Sequence, residues 1–335
     1  MVINKIHIKN FKSLVDVTIE KPNPFTVFVG PNASGKSNIF EALDFYSYLS
    51  RIDIYQLVNS FGGFDSIMNS ESDSLQIKIL FPELQTELLV PKRNGKGLKI
   101  IGVENQRSFN NNDNSRKFQD SFIKGEFFGQ FFYNFSRIYI DKKDKVVFRN
   151  RDNKKLSLDA ENLTKVLRRI LLENEYRSEL IDLLSFLIPE FERIEIKSDE
   201  LTGDESLLIY EKHTNKPFPR HLISDGTFNI VALLTAVLQS KEPQFLCIEE
   251  PENGVHPEAI KELVGFFREQ CKEKGHYIWL TTHSQSLVAE LKPEEIVVVD
   301  KIEGETRIKQ FQGEEFYSLS MDDAWLSNVL GGGLI

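Results

Sequence analysis

Apolar and polar residues alternate from the first positions of the chain. Residues 2–8 read as a strand, and residues 14–19 repeat the pattern after a turn at 10–13. Residues 25–29 (Phe-Thr-Val-Phe-Val) are more continuously apolar, as a strand buried on both faces is. A glycine-containing turn follows, and then helical spacing over 38–49. Residues 75–90 and 98–103 read as short β segments, and 105–115 as a polar loop. Residues 137–140 and 146–148 suggest a hairpin. Residues 163–187 carry helical spacing that predicts two helices, the second stopping before Pro189. Strands are expected at 191–196, 206–210, 244–248, 277–280 and 296–299, and helices at 227–238 and 258–273. The order is a β-rich start, a mixed middle, then alternating helix and strand. It predicts an α/β core assembled from both ends of the chain around an insertion.

Composition bounds this picture without changing it. The chain has 335 residues, 41% hydrophobic and 27% charged, as expected of a folded globular protein. Its longest clean apolar run, 230–238, is too short to cross a bilayer, so no membrane partner is expected. Two cysteines, Cys247 and Cys271, build no disulfide framework and fit a cytoplasmic location. The net charge of −9 disfavours nucleic acid at first sight, but it is unevenly spread. Residues 92–169 hold 19 Lys/Arg against 9 Asp/Glu, and residues 241–335 hold 9 against 18. The densest cations are Lys142, Lys143, Lys145, Arg149, Arg151, Lys154 and Lys155, followed by Lys165, Arg168 and Arg169. Such a cluster is a solvated face, a DNA or RNA contact, or a dock for an acidic protein.

Three segments carry chemistry. Gly30, Pro31, Asn32, Ala33, Ser34, Gly35, Lys36 and Ser37 match G-x-x-x-x-G-K-[ST] in full, with Asn38 next. In that pattern glycines let backbone N–H groups converge on phosphate, the lysine supplies a point charge, and the serine hydroxyl is a Mg²⁺ ligand. The frame of apolar strand, loop and helix is the one the motif requires. Residues 245–251 form an apolar strand ending in Glu249, Glu250 and Pro251. The two acids are solvated strand-end groups, or a pair in which Glu249 holds Mg²⁺ and Glu250 orients an attacking water. Residues 277–284 repeat the design and end in His283 and Ser284. His283 donates to a γ-phosphate or simply pairs with local backbone. Ser224-Asp-Gly-Thr227, before an apolar helix, reads as an N-cap and turn.

Taken together, Gly30–Ser37, Ser224–Thr227, Glu249-Glu-Pro-Glu-Asn-Gly-Val-His256 and residues 281–284 resemble the ordered motifs of ABC-type ATPase heads of the SMC/RecF/OLD group. The opening residues 6–14 are similar to the start of those proteins. The resemblance implies an ABC-type head with a β-rich N-terminal lobe, a P-loop core sheet and an inserted α+β segment. The head would comprise 1–91 and 205–335, and the basic insert 92–204. ATP and Mg²⁺ are the implied cofactors, with Lys36, Glu250 and His283 catalytic and Ser37 and Glu249 on the metal. The resemblance also implies a head-to-head homodimer in which Ser224 and Gly226 of one copy cap the nucleotide of the other. Asn253 and His256 would then communicate across the dimer, although a simple turn also accounts for them. Many relatives carry Asp where this chain has Glu249, and the glutamine that follows the first helix is placed only by position, at Gln56. Compact ATPases of this kind resemble components of bacterial antiviral defence that regulate a separate effector, a nuclease or toxin. The alternative is an ATP-dependent DNA-binding repair or recombination factor of RecF type. Residues 321–330 form an amphipathic stretch whose Trp325 is either an exposed partner anchor or part of a tail.

Overall fold

The structure is a computed structural model that describes residues 2–49, 51–52, 54–82, 84–91, 99–104, 107–108, 134–140, 154–198, 205–311, 319–327 and 329–330. The N-terminal lobe is an antiparallel sheet in the order β2-β1-β4-β5-β6-β7. Its strands are β1 (Lys5–Phe11), β2 (Leu14–Glu20), β4 (Ser74–Leu80), β5 (Leu84–Pro91), β6 (Lys99–Glu104) and β7 (Arg107–Ser108). Strand β3 (Phe25–Val29) leaves this lobe for a second, mostly parallel sheet of order β15-β14-β3-β13-β12-β8. The others are β8 (Phe135–Ile138), β12 (Phe245–Glu249), β13 (Tyr277–Thr282), β14 (Ile296–Ile302) and β15 (Glu305–Gln310). A third antiparallel sheet holds β9 (Phe191–Ser198), β10 (Glu205–Glu211) and β11 (Phe218–Pro219).

Strand periodicity explains how the core sheet is covered. Successive side chains point to opposite faces, so each buried strand feeds two cores. Val27, Val29, Ile248, Leu280 and Val298 join one cluster with helices α4 (Leu163–Leu172), α5 (Asn174–Leu187), α6 (Asp225–Leu238) and α7 (Pro257–Lys274). Phe28, Cys247, Trp279 and Val299 join the other, with α1 (Lys36–Tyr48), α2 (Ile54–Ser60), α3 (Phe64–Ile67) and the N-terminal lobe. Trp279 is fully buried, with ring centroids 4.8 Å from Phe245 and 5.2 Å from Phe28. Short helices α8 (Gln285–Ala289) and α9 (Met321–Leu326) complete the described elements.

Of the hairpin expected at 137–140 and 146–148, the second half lies outside the described residues. The first half is β8, which runs parallel to β12 with Arg137 opposite Cys247 and is the outer one of the described core-sheet strands although it falls within 92–204. One expectation needs correction. Trp325 is not an exposed anchor. It is 9% exposed and packs into the larger core with Ala324 and Leu330. Of the basic cluster, Lys142, Lys143, Lys145, Arg149 and Arg151 lie outside the described residues. Lys155 is buried. Arg168 pairs with Glu205, while the Arg169 guanidinium donates to the carbonyls of Lys154, at 2.8 Å, and Gln239, at 2.5 Å. The described part of the run is thus largely engaged with the protein itself.

Candidate active site

Strands β3, β12 and β13 run parallel, so their carboxyl ends meet at one edge of the core sheet, where open α/β sheets gather functional groups. The ends are Gly30, the pair Glu249/Glu250, and Thr282-His283. The loop after β3 turns sharply into α1. Gly30 and Gly35 have φ of 154° and 108°, and Ala33 takes a left-handed 62°. A Cβ on Gly30 would lie 2.0 Å from the Val299 carbonyl oxygen. A Cβ on Gly35 would lie 2.0 Å from Thr306 Oγ1. Both glycines are therefore required by packing behind the loop as well as by backbone shape. Thr306 Oγ1 donates to the Ser34 carbonyl at 2.8 Å and lies 2.7 Å from Ser13 Oγ, which accepts from Asn38 Nδ2 at 2.8 Å. The β1–β2 turn and the β14–β15 hairpin thus brace the loop from the rear.

The front of the loop is a nest of donors. Among the described residues, the N–H groups of Asn32, Ala33 and Gly35 donate to no protein acceptor. Ser34 donates only to Pro31, at 3.3 Å. Lys36 is 6% exposed and donates to the carbonyls of Gly30, at 2.7 Å, and Pro31, at 2.9 Å. A concave run of unpaired N–H groups at a helix N-terminus, with a buried ammonium beside it, fits a polyphosphate.

Burial pushes Lys36 down to about 8, against the opposing charges of Glu250, Glu249 and Glu252. The lysine is charged below that pH and neutral above it. Binding an anion there favours the charged form, so binding takes up a proton above pH 8. The apparent affinity for a nucleotide is expected to be flat below pH 8 and to fall about tenfold per pH unit above it. Titrations at pH 7, 8 and 9 check this, and Lys36→Arg, always charged, should remove the inflection.

Glu249 is the buried acid of the site. Its Oε2 accepts from Ser37 Oγ, and its Oε1 accepts from Arg137 Nε at 2.7 Å. Arg137 Nη2 lies 2.6 Å from the same Oε1 but off the hydrogen-bond line. Glu250 sits one residue further, where the strand ends in a left-handed residue (φ 49°). Its N–H donates to the Thr281 carbonyl at 3.0 Å. Its carboxylate is held by Asn253 Nδ2 at 3.1 Å and Tyr139 Oη at 3.4 Å, and lies 3.2 Å from His283 Nε2. Glu252 in turn accepts from Thr282 Oγ1 at 2.6 Å and from the His283 backbone at 3.0 Å. Two strand ends are thereby locked together behind the two acids.

Among the described residues no three His, Cys, Asp or Glu side chains gather to hold a metal. A hydroxyl and one carboxylate, both hard oxygen donors beside a phosphate nest, fit Mg²⁺ shared with a nucleotide, which takes one or two carboxylates plus substrate phosphates.

Ser224 caps α6: its Oγ accepts from the Thr227 N–H at 3.2 Å. A Cβ on Gly226 would lie 2.1 Å from the Gly254 carbonyl oxygen, so the turn after Glu250 packs directly on the start of α6. His256 caps α7, with Nδ1 accepting from the Glu258 N–H at 3.3 Å. Gln56 is exposed on α2, with its carbonyl accepting from Ser60 Oγ. The sequence patterns single out none of Arg137, Tyr139 and Thr306 as site residues. An arginine in a Phe-Ser-Arg-Ile run was the available signal for the first.

Residues 25–289 match the sequence model of a family described as "AAA domain, putative AbiEii toxin, Type IV TA system". The chain belongs to that family. It is an ATPase-family chain of the ABC/SMC type, as the motifs implied. An ATP/GTP phosphatase of Helicobacter pylori is 22% identical across 85% of this chain and 86% of its own length. The chromosome partition protein Smc of Methanocaldococcus jannaschii is 51% identical over 43 residues, 13% of this chain and 4% of that protein. The transporter ATP-binding protein EcfA1 of Methanospirillum hungatei is 38% identical over 22% of this chain and 25% of its own. These last two matches are thus short pieces of their proteins. Among solved structures, the Smc head bound to the C-winged helix domain of ScpA superposes with a TM-score of 0.63 at 16% identity, covering 97% of this chain and all of that one. The SMC head domain from Thermotoga maritima gives 0.56 at 15%, covering 93% and 100%. The AAA-domain chain therefore has the SMC-head fold. No helix among its described residues is long and apolar enough to cross a membrane.

Proposed function

We propose that this chain hydrolyses ATP, dimerises head to head when ATP is bound, and uses the cycle to control a separate effector protein in antiviral defence. The observation that carries the reading is the convergence of Lys36, Ser37, Glu249, Glu250 and His283 on one nest of unpaired N–H groups. In this reading the nest and Lys36 bind the phosphates, Lys36 giving up its bonds to Gly30 and Pro31. Ser37 and Glu249 would hold Mg²⁺, which when bound would supply positive charge against the phosphates. Glu250 takes a proton from the attacking water. His283, beside Glu250 and anchored through Glu252, senses the γ-phosphate.

Ser224 and Gly226 stand at the N-terminus of α6, whose dipole suits an anion from a second copy. The intramolecular contacts already explain both residues in part, so the test must separate the roles. Ser224→Ala is expected to cost about 1 kcal/mol of stability through the lost cap. It is also expected to abolish ATP-driven dimerisation. Gly226→Ala is the poorer probe, because its methyl would displace Gly254 within the same chain. Light scattering with and without ATP, beside a thermal melt, decides the matter. A variant that still dimerises on ATP removes Ser224 from the interface. Measured phosphate release by the purified chain tests the activity itself, and its absence would overturn the reading. The effector is proposed from the family's toxin description, and the Smc head bound to ScpA offers a parallel for a partner on such a head.

A further inference from the structure

Arg137 has no place in the roles given above, yet it is a buried cation beside the phosphate loop. Its side chain is 5% exposed and that of Glu249 1%. Burying a charge is costly unless it is paired and hydrogen-bonded, so a guanidinium here must be held by strong partners. It projects from β8 toward the face covered by α1, where Asp44 and Glu41 lie in its field together with Glu249. Glu249 Oε1 belongs to Arg137, through Nε at 2.7 Å. Glu249 Oε2 belongs to Ser37. If Ser37 turns its hydroxyl toward a cation, Oε2 is released and Oε1 is not. The carboxylate then has one oxygen to offer.

That restriction distinguishes cations. Mg²⁺ demands a near-octahedral shell and takes carboxylates through single oxygens, whereas Ca²⁺ takes more ligands and readily accepts both oxygens of one carboxylate. A glutamate has the reach to turn both oxygens toward a cation, and an arginine on one of them prevents it. We propose that Arg137 is a positioning residue that makes Glu249 a one-oxygen ligand and so sets the preference of this site for Mg²⁺ over Ca²⁺. The inference rests on the reading of the site as one for ATP with a divalent cation.

The test is calorimetric binding of a non-hydrolysable ATP analogue to the full chain, with Mg²⁺ or Ca²⁺ as the only divalent ion. The quantity read is the ratio of the two affinities. Arg137→Met is expected to lower the Mg²⁺:Ca²⁺ ratio by roughly 10- to 100-fold, the usual size of effects from groups that orient a metal's ligands. Arg137→Lys, which keeps one cation on Oε1, should recover much of the wild-type ratio. The methionine variant leaves Asp44 and Glu249 facing each other, so Arg137→Met is also measured with Asp44→Asn, which lowers the local negative charge, and circular dichroism verifies the fold of each. A folded variant, in either background, that keeps the wild-type ratio overturns the proposal, as does a lysine variant that behaves like methionine. If the wild-type chain binds the analogue with neither ion, the nucleotide reading itself falls, and this inference with it.

Discussion

Replacing Glu250 with glutamine is expected to slow phosphate release about 10²- to 10⁴-fold, the range for removal of a positioned general base. Nucleotide affinity should stay close to the wild-type value. The expectation comes from how Glu250 is held. Its backbone is fixed by the N–H bond to Thr281 and by the left-handed turn, neither of which the amide disturbs. The amide also keeps the shape that Asn253, Tyr139 and His283 surround. What it loses is the capacity to accept a proton from water. Bound ATP should therefore accumulate, and with it any ATP-dependent dimer. Glu249→Gln is a different lesion, since it weakens the pairing with Arg137 and should impair cation-dependent binding as well. Single-turnover phosphate release and light scattering on the two variants separate them. A Glu250→Gln chain that hydrolyses ATP at the wild-type rate would remove Glu250 as the base.

The second large effect is expected from Gly35→Ala, one methyl group at the rear of the phosphate loop. At φ 108° an L-residue is strained, at a cost of about 1–3 kcal/mol. The added Cβ would also meet Thr306 Oγ1 at 2.0 Å and Ser13 Oγ at 3.0 Å. Neither atom can swing away freely, because Thr306 is bonded to the Ser34 carbonyl and Ser13 to Asn38. Overpacking of this kind adds about 1–3 kcal/mol. Against a typical stability of about 5–15 kcal/mol the chain should still fold, with a lowered melting temperature. The loop is what yields, so nucleotide binding is expected to be lost. Gly35→Ala together with Thr306→Ala removes the 2.0 Å contact, the worst of the clash, and keeps the strain, and should recover part of the stability. Binding that survives Gly35→Ala intact would show that the brace behind the loop is dispensable.

The phosphate loop was legible in the chain because everything it needs is contiguous. Residues 25–38 contain the strand, the glycines, the lysine, the hydroxyl and the start of the helix, and β3 occupies the expected residues 25–29. The acids after β12 and the histidine after β13 were legible for the same reason, each a polar end to an apolar run. Arg137 was not, because its meaning arises from pairing β8 with β12, strands more than a hundred residues apart. The apolar neighbours in Phe-Ser-Arg-Ile hint at burial, but nothing local in the chain names the carboxylate that the cation meets. Thr306 was hidden likewise: a threonine in a polar hairpin becomes the keystone behind Gly35 only when β14 pairs with β3. Trp325 shows the reverse error. Its amphipathic surroundings looked like a surface feature, and tertiary packing buried it. Gly226 has a reason the motif alone did not disclose, the close approach of Gly254.

The placement of β3 between β13 and β14 also decides when the site can exist during synthesis. At about 5–20 residues per second, a wholly buried strand emerges on the order of 10–50 s before either neighbour does. Over that interval Phe25–Val29 lacks its sheet partners and is a segment for chaperones to shield. The brace at Thr306 comes later still. A product cut short before β13 would hold the complete phosphate-binding signature without the sheet that shapes it. Such a fragment is not expected to compete with the intact protein for nucleotide, because the loop takes its shape from the sheet and the brace that the fragment lacks.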